Sequence, residues 1–264
     1  MTSDADAVEE TQVAGLGEAV DALRGARRVL VLSGAGMSAE SGVPTFRDAQ
    51  TGLWEQVDPT DLATPEAWEQ DPPYVWAWYA WRIGRLRAVQ PNAGHRALAE
   101  LAAYREVSIA TQNVDDLHER AGSTVLAHVH GSLTDLRCSD CATPHVGPVE
   151  VPEDPVERLE PPSCGECGGD VRPGVVWFGE MLPARALAET TAAIEALTEG
   201  DVVLVVGTSG VVYPAAGFPA MARAEGATVI EVNPTETEVS DVCDLRLRGT
   251  AAQVLPRLVA AITG

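Results

Sequence analysis

The sequence predicts an α/β protein, a Rossmann-like doubly wound parallel sheet into which a small zinc-binding module is inserted. Three observations lead there. Short apolar runs at 29–32, 107–110, 201–206 and 228–232 alternate with helical patterns, and strands that alternate with helices build parallel sheets. The first run breaks into Gly34-Ala35-Gly36-Met37-Ser38-Ala39, a glycine turn of the kind with which such sheets hold a dinucleotide phosphate. Between Leu133 and Pro173 the periodicity fades, and this stretch carries four of the five cysteines with many prolines and acids. The expected organisation is an acidic tail at 1–10, a Rossmann-like nucleotide-binding domain at 11–132 and 174–264, and the insert at 133–173.

Taken in order, Val13, Leu16, Val20 and Leu23 share one helical face that stops at Gly25. In the glycine turn, Gly34 allows the tight bend, Gly36 lets backbone approach a phosphate, and Ala39 packs helix on strand. The helix opening there supplies free N–H groups and a positive dipole. Residues 50–73, rich in Trp, Asp and Pro, read as irregular, and 74–89 as a helix with Trp76, Tyr79 and Ile83 on one side. Pro91-Asn92 starts a helix at 93–103; further helices are expected at 216–226 and 251–262. The uncharged window 202–222 is long enough to span a bilayer. Its Gly207, Gly210, Pro214, Gly217 and Pro219 make it strand, turn and helix start instead.

The 39 acids outnumber the 18 bases, for a net charge of −21, and every base is an arginine. That balance speaks against a nucleic-acid partner, which needs clustered cations on phosphates. The opening MTSDADAVEE has no basic-then-apolar leader pattern. The expectation is a cytoplasmic chain with no nucleic-acid and no membrane partner, and with no lysine of its own to be acylated.

Cys138-x-x-Cys141 and Cys164-x-x-Cys167 are separated by 22 residues, the arrangement in which two close pairs supply four thiolates to Zn²⁺. Four protein ligands close the site, so the metal is structural; two disulfides are the alternative, which a reducing compartment disfavours. Cys243 is left over as a small buried hydrophobe. Thr111-Gln112-Asn113-Val114-Asp115-Asp116-Leu117-His118 follows a strand, so its polar groups belong at the carboxyl edge of the sheet, where ligands bind. In His128-Val129-His130-Gly131 either histidine is a candidate base, and Gly131, by permitting close approach, favours His130. His95, His118 and His145 are candidates for structural roles. Gly207-Thr208-Ser209-Gly210 and Asn233 follow two more strands, and together these loops describe one long ligand lying across the sheet edge.

GAGMSAESGVPTFR, TQNVDDLH, the His130-Gly131 pair, the two CxxC pairs, VVWFGE at 175–180, GTSGVVYPAA from Gly207 and Asn233 occur in the order found in sirtuins. Over about residues 28–262 the chain resembles that family of NAD-dependent protein lysine deacylases, with a Rossmann domain, a small zinc module and an active site between them. The resemblance implies that Gly34, Ala35, Gly36, Ser38, Ala39 and Glu40 meet the NAD phosphates and neighbouring ribose. Thr45, Phe46 and Arg47 would belong to a mobile cofactor loop. Gln112, Asn113 and Asp115 would hold the nicotinamide ribose and carboxamide pocket, with Asn113 and the general base His130 as the catalytic pair. Gly207, Thr208, Ser209, Asn233, Pro234, Thr235 and Ala251 would line the adenosine end. Val176, Trp177, Phe178, Gly179 and Glu180 on one side, and Gly210 with Val211, Val212 and Tyr213 on the other, would clamp an acyl-lysine protein as an added strand.

By the same resemblance, the acyl oxygen attacks C1′ of the nicotinamide ribose and nicotinamide leaves. His130 then promotes attack by the 2′-hydroxyl, giving free lysine and O-acyl-ADP-ribose. Ala63, Tyr79 and Arg82 are similar to the subgroup that removes succinyl and malonyl groups, where Tyr and Arg bind the acyl carboxylate and a small Ala widens the pocket. Tyr79 and Arg82, at i and i+3, share a helix face, and a guanidinium suits a carboxylate. The alternative within the fold is mainly deacetylation or mono-ADP-ribosyl transfer. Two departures from the family pattern are Asp116, where many relatives have Gly, and His128-Val129 in place of an acidic-aliphatic pair.

Overall fold

In this computed structural model the structure describes residues 13–43, 54 and 58–263. The expected acidic tail at 1–10 and Thr45, Phe46 and Arg47 lie outside the described residues. Helix α1 (Leu16–Gly25) precedes strand β1 (Arg28–Ser33), and three short-spaced helices follow: α2 (Pro59–Leu62), α3 (Pro65–Gln70) and α4 (Pro72–Ala88). Then come α5 (Ala93–Leu101), β2 (Glu106–Thr111), α6 (Leu117–Arg120) and β3 (Val125–His128). The insert contributes β4 (Leu136–Cys138) and β5 (Val171–Pro173). The chain closes with α7 (Ala184–Glu195), β6 (Val202–Val206), α8 (Phe218–Ala224), β7 (Thr228–Asn233), β8 (Leu245–Arg248) and α9 (Ala251–Thr263).

Six parallel strands run in the order β3-β2-β1-β6-β7-β8. The chain builds outward from β1 to β3 and then returns to place β6 on the other side of β1. That reversal opens a crevice at the carboxyl ends of the central strands, where parallel sheets bind ligands. Ser33, the last residue of β1, stands in register with Thr111 on one side and Val206 on the other. Alternate residues point to opposite faces and both faces are covered, which is why the central strands are continuous apolar runs. Leu23 of α1, Leu98 of α5 and Leu255 and Leu258 of α9 pack with Val29, Val31, Leu204 and Ile230. Ile194 of α7 and Phe218 and Ala222 of α8 pack with Leu30, Leu32, Val203 and Val229 on the other. Strands β3 and β8 are edge strands that the sequence pattern leaves unmarked, because Leu245-Arg246-Leu247-Arg248 alternates where the central strands do not.

Residues 58–73 are helical rather than irregular. Asp58, Thr64 and Asp71 each accept a backbone N–H from the first turn of α2, α3 and α4, and each is followed by a proline. A cap followed by Pro at the first helical position is a helix start, not a break. These helices face the insert rather than the sheet. Trp54, Trp68, Trp76, Trp78 and Tyr79 form one apolar cluster with Leu133, Val175 and Trp177, and the insert's Val149, Val151, Val156 and Leu159 pack against it. The insert and α2–α4 thus share one apolar cluster. Residues 202–222 fold as β6, a loop and the start of α8, and no helix among the described residues is long and apolar enough to cross a membrane.

Candidate active site at the strand tips

The loop after β1 is pinned to the loop after β6. Gly34 N–H donates to Val206 O at 2.9 Å and Gly36 N–H to Gly207 O at 2.8 Å. A Cβ at Gly36 would sit 2.8 Å from Gly207 Cα, and one at Gly207, whose φ is +61°, 2.4 Å from Met37 N. The missing side chain of Gly36 thus serves the contact between two loops. The expected helix is instead two three-residue 3₁₀ turns, Ala35–Met37 and Ala39–Ser41, too short to carry a macrodipole. What they offer an anion is N–H groups. The amides of Ala35, Ala39 and Glu40 donate to no acceptor among the described residues, and all three residues are exposed. The Glu40 carboxylate accepts from Ala252 N–H at 3.1 Å, in the first turn of α9.

Beneath this loop lies a buried polar layer. Ser38, expected at the cofactor, is 1% exposed; its hydroxyl oxygen meets Asn113 Nδ2–H at 3.1 Å and His95 Nε2 at 3.4 Å and also bonds the Asp115 carboxylate. Burial raises the Asp115 pKa, opposed by Ser38 and by the Leu117 N–H. His95 Nδ1 accepts from Asn92 N–H at 3.3 Å, so Nε2 holds that ring's proton. Ser33 Oγ donates to Thr111 Oγ1 at 2.9 Å and meets His118 Nε2 at 3.0 Å, and the His95 and His118 rings pack edge to face at 4.9 Å. Burial pushes His95 down to about 4 and His118 down to about 3. Both are neutral structural histidines.

His130 differs from them. Its Nδ1 lies 3.1 Å from Gln112 O, and since a carbonyl only accepts, Nδ1 carries the proton. That leaves Nε2 with a lone pair and no hydrogen-bond partner among the described residues. Burial lowers the pKa of the ring. A neutral imidazole with one nitrogen anchored and the other unoccupied can take a proton from a ligand. The turn beside it needs glycine: Gly131 has φ +73°, and a Cβ there would lie 2.0 Å from Gly174 O. Around the same strand ends, Gln112 Nε2–H donates to Thr208 Oγ1 at 3.2 Å and Asn233 Nδ2–H to Thr208 O at 3.1 Å. Ser209, Pro234 and Thr235 are exposed, while Ala251 is buried at the start of α9.

On the module side, Val176 N–H donates to His130 O at 2.9 Å and Phe178 N–H to Ala63 O at 2.8 Å. These bonds tie residues 176–178 to the site. Trp177 is buried and donates its Nε1–H to the Tyr79 hydroxyl at 2.8 Å. Glu180 is committed elsewhere: it pairs with Arg172 at 2.7 and 3.0 Å and caps Trp177 N–H at 2.8 Å, with the Arg172 guanidinium 3.1 Å over the Trp177 ring. Phe178, Val211, Val212 and Tyr213 are exposed apolar side chains, and Gly179 is exposed beside them. Tyr79 is 1% exposed, so its ring is core. Burial pushes its hydroxyl up to about 12, and the phenol keeps a proton to donate. Arg82 is half-buried, 4.7 Å over Trp78, with no hydrogen bond or ion pair among the described residues.

In the insert, the four cysteine sulfurs lie within 4.8 Å of one another. The separations are 3.4 Å for Cys138–Cys167, 3.7 Å for Cys141–Cys164 and 3.4 Å for Cys141–Cys167. A tetrahedral zinc with Zn–S of about 2.3 Å spaces its sulfurs by about 3.8 Å, whereas a disulfide needs about 2.05 Å. Backbone N–H groups of Asp140, Glu166 and Gly169 point at three of the sulfurs, as suits thiolates. The donor set fits Zn²⁺, and the disulfide alternative is excluded.

The Sir2 family model matches residues 34–214. An NAD-dependent protein deacylase of Corynebacterium glutamicum is 48% identical over 248 residues, covering 93% of this chain and 95% of that protein. The chain belongs to the Sir2 family. Another sirtuin relative, an NAD-dependent protein deacylase of Mycobacterium tuberculosis, is 52% identical over 232 residues, 88% of this chain and 96% of its own. The crystal structure of a Sir2 homologue in complex with NAD superposes with a TM-score of 0.84 at 42% identity, covering 94% of this sirtuin and 93% of that chain. A Sir2 protein bound to a myristoylated histone peptide gives 0.71 at 30% identity, covering 94% and 96%.

The sirtuin fold brings Gly34, Gly36, Ser38, Gln112, Asn113, Asp115, His130, Gly207, Thr208 and Asn233 to one sheet edge. Ser38 lies in the buried layer beneath that edge, and the carboxylate of the exposed Glu40 meets the start of α9. Sequence reasoning missed Ser33, Glu119 and Arg172, whose partners lie 78, 9 and 8 residues away; no local pattern announces them.

Proposed function

We propose that this sirtuin preferentially removes succinyl and malonyl groups from protein lysines. NAD-dependent protein deacylation is its activity, with NAD as co-substrate and zinc as a structural metal. The finer preference rests on one observation: Arg82. In a chain with 39 acids and 18 bases, this half-buried guanidinium makes no ion pair among the described residues, and burial lowers its pKa against the charge of Asp115. A carboxylate brought beside it would recover the charge pairing that burial removes. The neighbouring Tyr79 hydroxyl already accepts from Trp177, so its proton is the group it would offer.

The strand-tip groups fit the co-substrate. The backbone amides of Ala35, Ala39 and Glu40 would meet its phosphates, Gln112, Asn113 and Asp115 its nicotinamide end, and Thr208, Ser209 and Asn233 the adenosine end. When bound, NAD supplies an electrophilic ribose carbon with nicotinamide as the leaving group. His130, anchored through Nδ1, accepts at Nε2 the proton of a ribose hydroxyl. Residues 176–178 and 211–213 would bracket the substrate backbone, and the exposed side chains of Phe178, Val211, Val212 and Tyr213 would exclude water around the acyl chain. The test is turnover of matched succinyl, malonyl and acetyl peptides by the wild type and Arg82→Met. Selective loss of the two acidic acyl groups supports the reading; equal loss of all three overturns it.

A further inference from the structure

Two residues before His130, a second histidine holds the other carbonyl of the same turn. His128 Nδ1 lies 3.1 Å from Asn113 O, as His130 Nδ1 lies 3.1 Å from Gln112 O. His128 Nε2 does not face a ligand but lies 2.7 Å from the Glu119 carboxylate, on α6. Both partners are acceptors when Glu119 is ionised, so both ring nitrogens carry protons and the ring is an imidazolium. Asn113 is thereby fixed from three directions: its N–H by Thr111 Oγ1 at 3.0 Å, its amide by Ser38 Oγ, and its carbonyl by His128.

We propose that His128, charged and held by Glu119, is a positioning residue that fixes the Gln112-Asn113 turn for the NAD-consuming step. The proposal rests on the deacylase reading above. Burial pulls the His128 pKa down, but the bonds to Glu119 and to Asn113 O more than offset it and leave the ring above its ordinary value. Burial likewise raises Glu119, and its bond with His128 more than reverses that. The other charged groups facing the ring are Asp135, whose charge favours the imidazolium, and Asp115 and His118, both of which feel its charge. Helix α7, packed on the same strand, contributes buried Ala186, Thr190 and Ile194. Because the folded pKa is raised, the clip is closed below it and opens as pH rises through it, when one of the two protons is lost.

The experiment compares wild type, His128→Gln, Glu119→Gln and the double variant. Nicotinamide release is followed against pH, and the ring nitrogens of the NAD-free protein by ¹H–¹⁵N NMR, His128 being assigned by its absence from His128→Gln. Expected are a His128 titration above 6.5 in the wild type that moves down in Glu119→Gln, and an alkaline limb in kcat that moves with it. His128→Gln should lower kcat roughly ten- to a hundredfold, the worth of one charge-assisted hydrogen bond, with peptide KM unchanged. The double variant should be no slower than His128→Gln, since the two residues act as one unit. A His128 that titrates at or below 6.5, or an alkaline limb identical in all four proteins, overturns the proposal. A wild type that releases no nicotinamide overturns the deacylase reading itself, while the NMR titration still judges the clip.

Discussion

The zinc cluster and the strand-tip site are both polar centres built on turns, yet they are assembled in opposite ways. The cluster draws its four ligands from two CxxC turns brought together by a two-stranded ribbon. Every donor is the same atom type, and the site closes on itself. The strand-tip site draws from the ends of β1, β2, β3, β6 and β7, and it contains five chemically different groups whose roles depend on their neighbours. A local motif suffices where the ligand is a point charge. Where the ligand is long and a bond must break, the parallel sheet supplies what no single segment can: several loops aimed at one edge.

Breaking the cluster should have the largest effect. Structural zinc is worth on the order of 10–16 kcal/mol in small domains, so Cys164→Ser is expected to yield protein without stoichiometric zinc and with the module unfolded. Metal analysis and tryptophan fluorescence check this, because Trp54, Trp68, Trp76, Trp78 and Trp177 lie in the cluster against which the insert packs; a folded, zinc-free variant with native fluorescence would contradict it. His130→Ala separates the regions: kcat should fall about 10²–10⁴-fold while the melting temperature and zinc content stay at wild-type values. Parallel losses of stability and turnover would make His130 structural like His95. Next in size, Arg82→Met should cost succinyl-peptide turnover about ten- to a hundredfold, the range of one charge-assisted hydrogen bond, with acetyl turnover unchanged.

The smallest effects concern pH. His130 has its pKa lowered by burial, so the acid limb of kcat/KM should lie below 6.5 and flatten before neutrality; a limb above 6.5 rules out this ring as the free base. His95 and His118 are depressed to about 4 and about 3. Between those values and 6.5 the unfolded chain binds protons at these two rings that the folded chain refuses, so their contribution to stability is complete above 6.5 and declines as pH falls through that window. His118→Gln should shallow the decline in melting temperature between pH 6.5 and 4 while leaving the zinc cluster untouched. An unchanged slope would remove His118 from the account.

Much of this was legible in the residues, for identifiable reasons. Val202–Val206 reads as a central strand because both faces are buried, which forces an unbroken apolar run. The cysteine pairs read as a metal site because ligand spacing is a local property. Residues 58–73 misled because proline marks both breaks and first helical turns, and only the Asp58, Thr64 and Asp71 caps separate the two. Gly36 was legible as a position of close approach, but not the Gly207 loop packed against it, since a sequence shows that a side chain is missing but not what occupies its place.

By itself the sequence determined the parallel α/β plan, the zinc ligands and the family, because hydrophobic period, thiolate spacing and motif order are written along the chain. Only the tertiary structure decided what each of the polar groups does. His128 and His130 sit two residues apart on one turn; one is paired by a carboxylate from α6 and the other keeps a nitrogen with no partner among the described residues. Burial and neighbouring charge set protonation, and both are properties of the folded molecule alone.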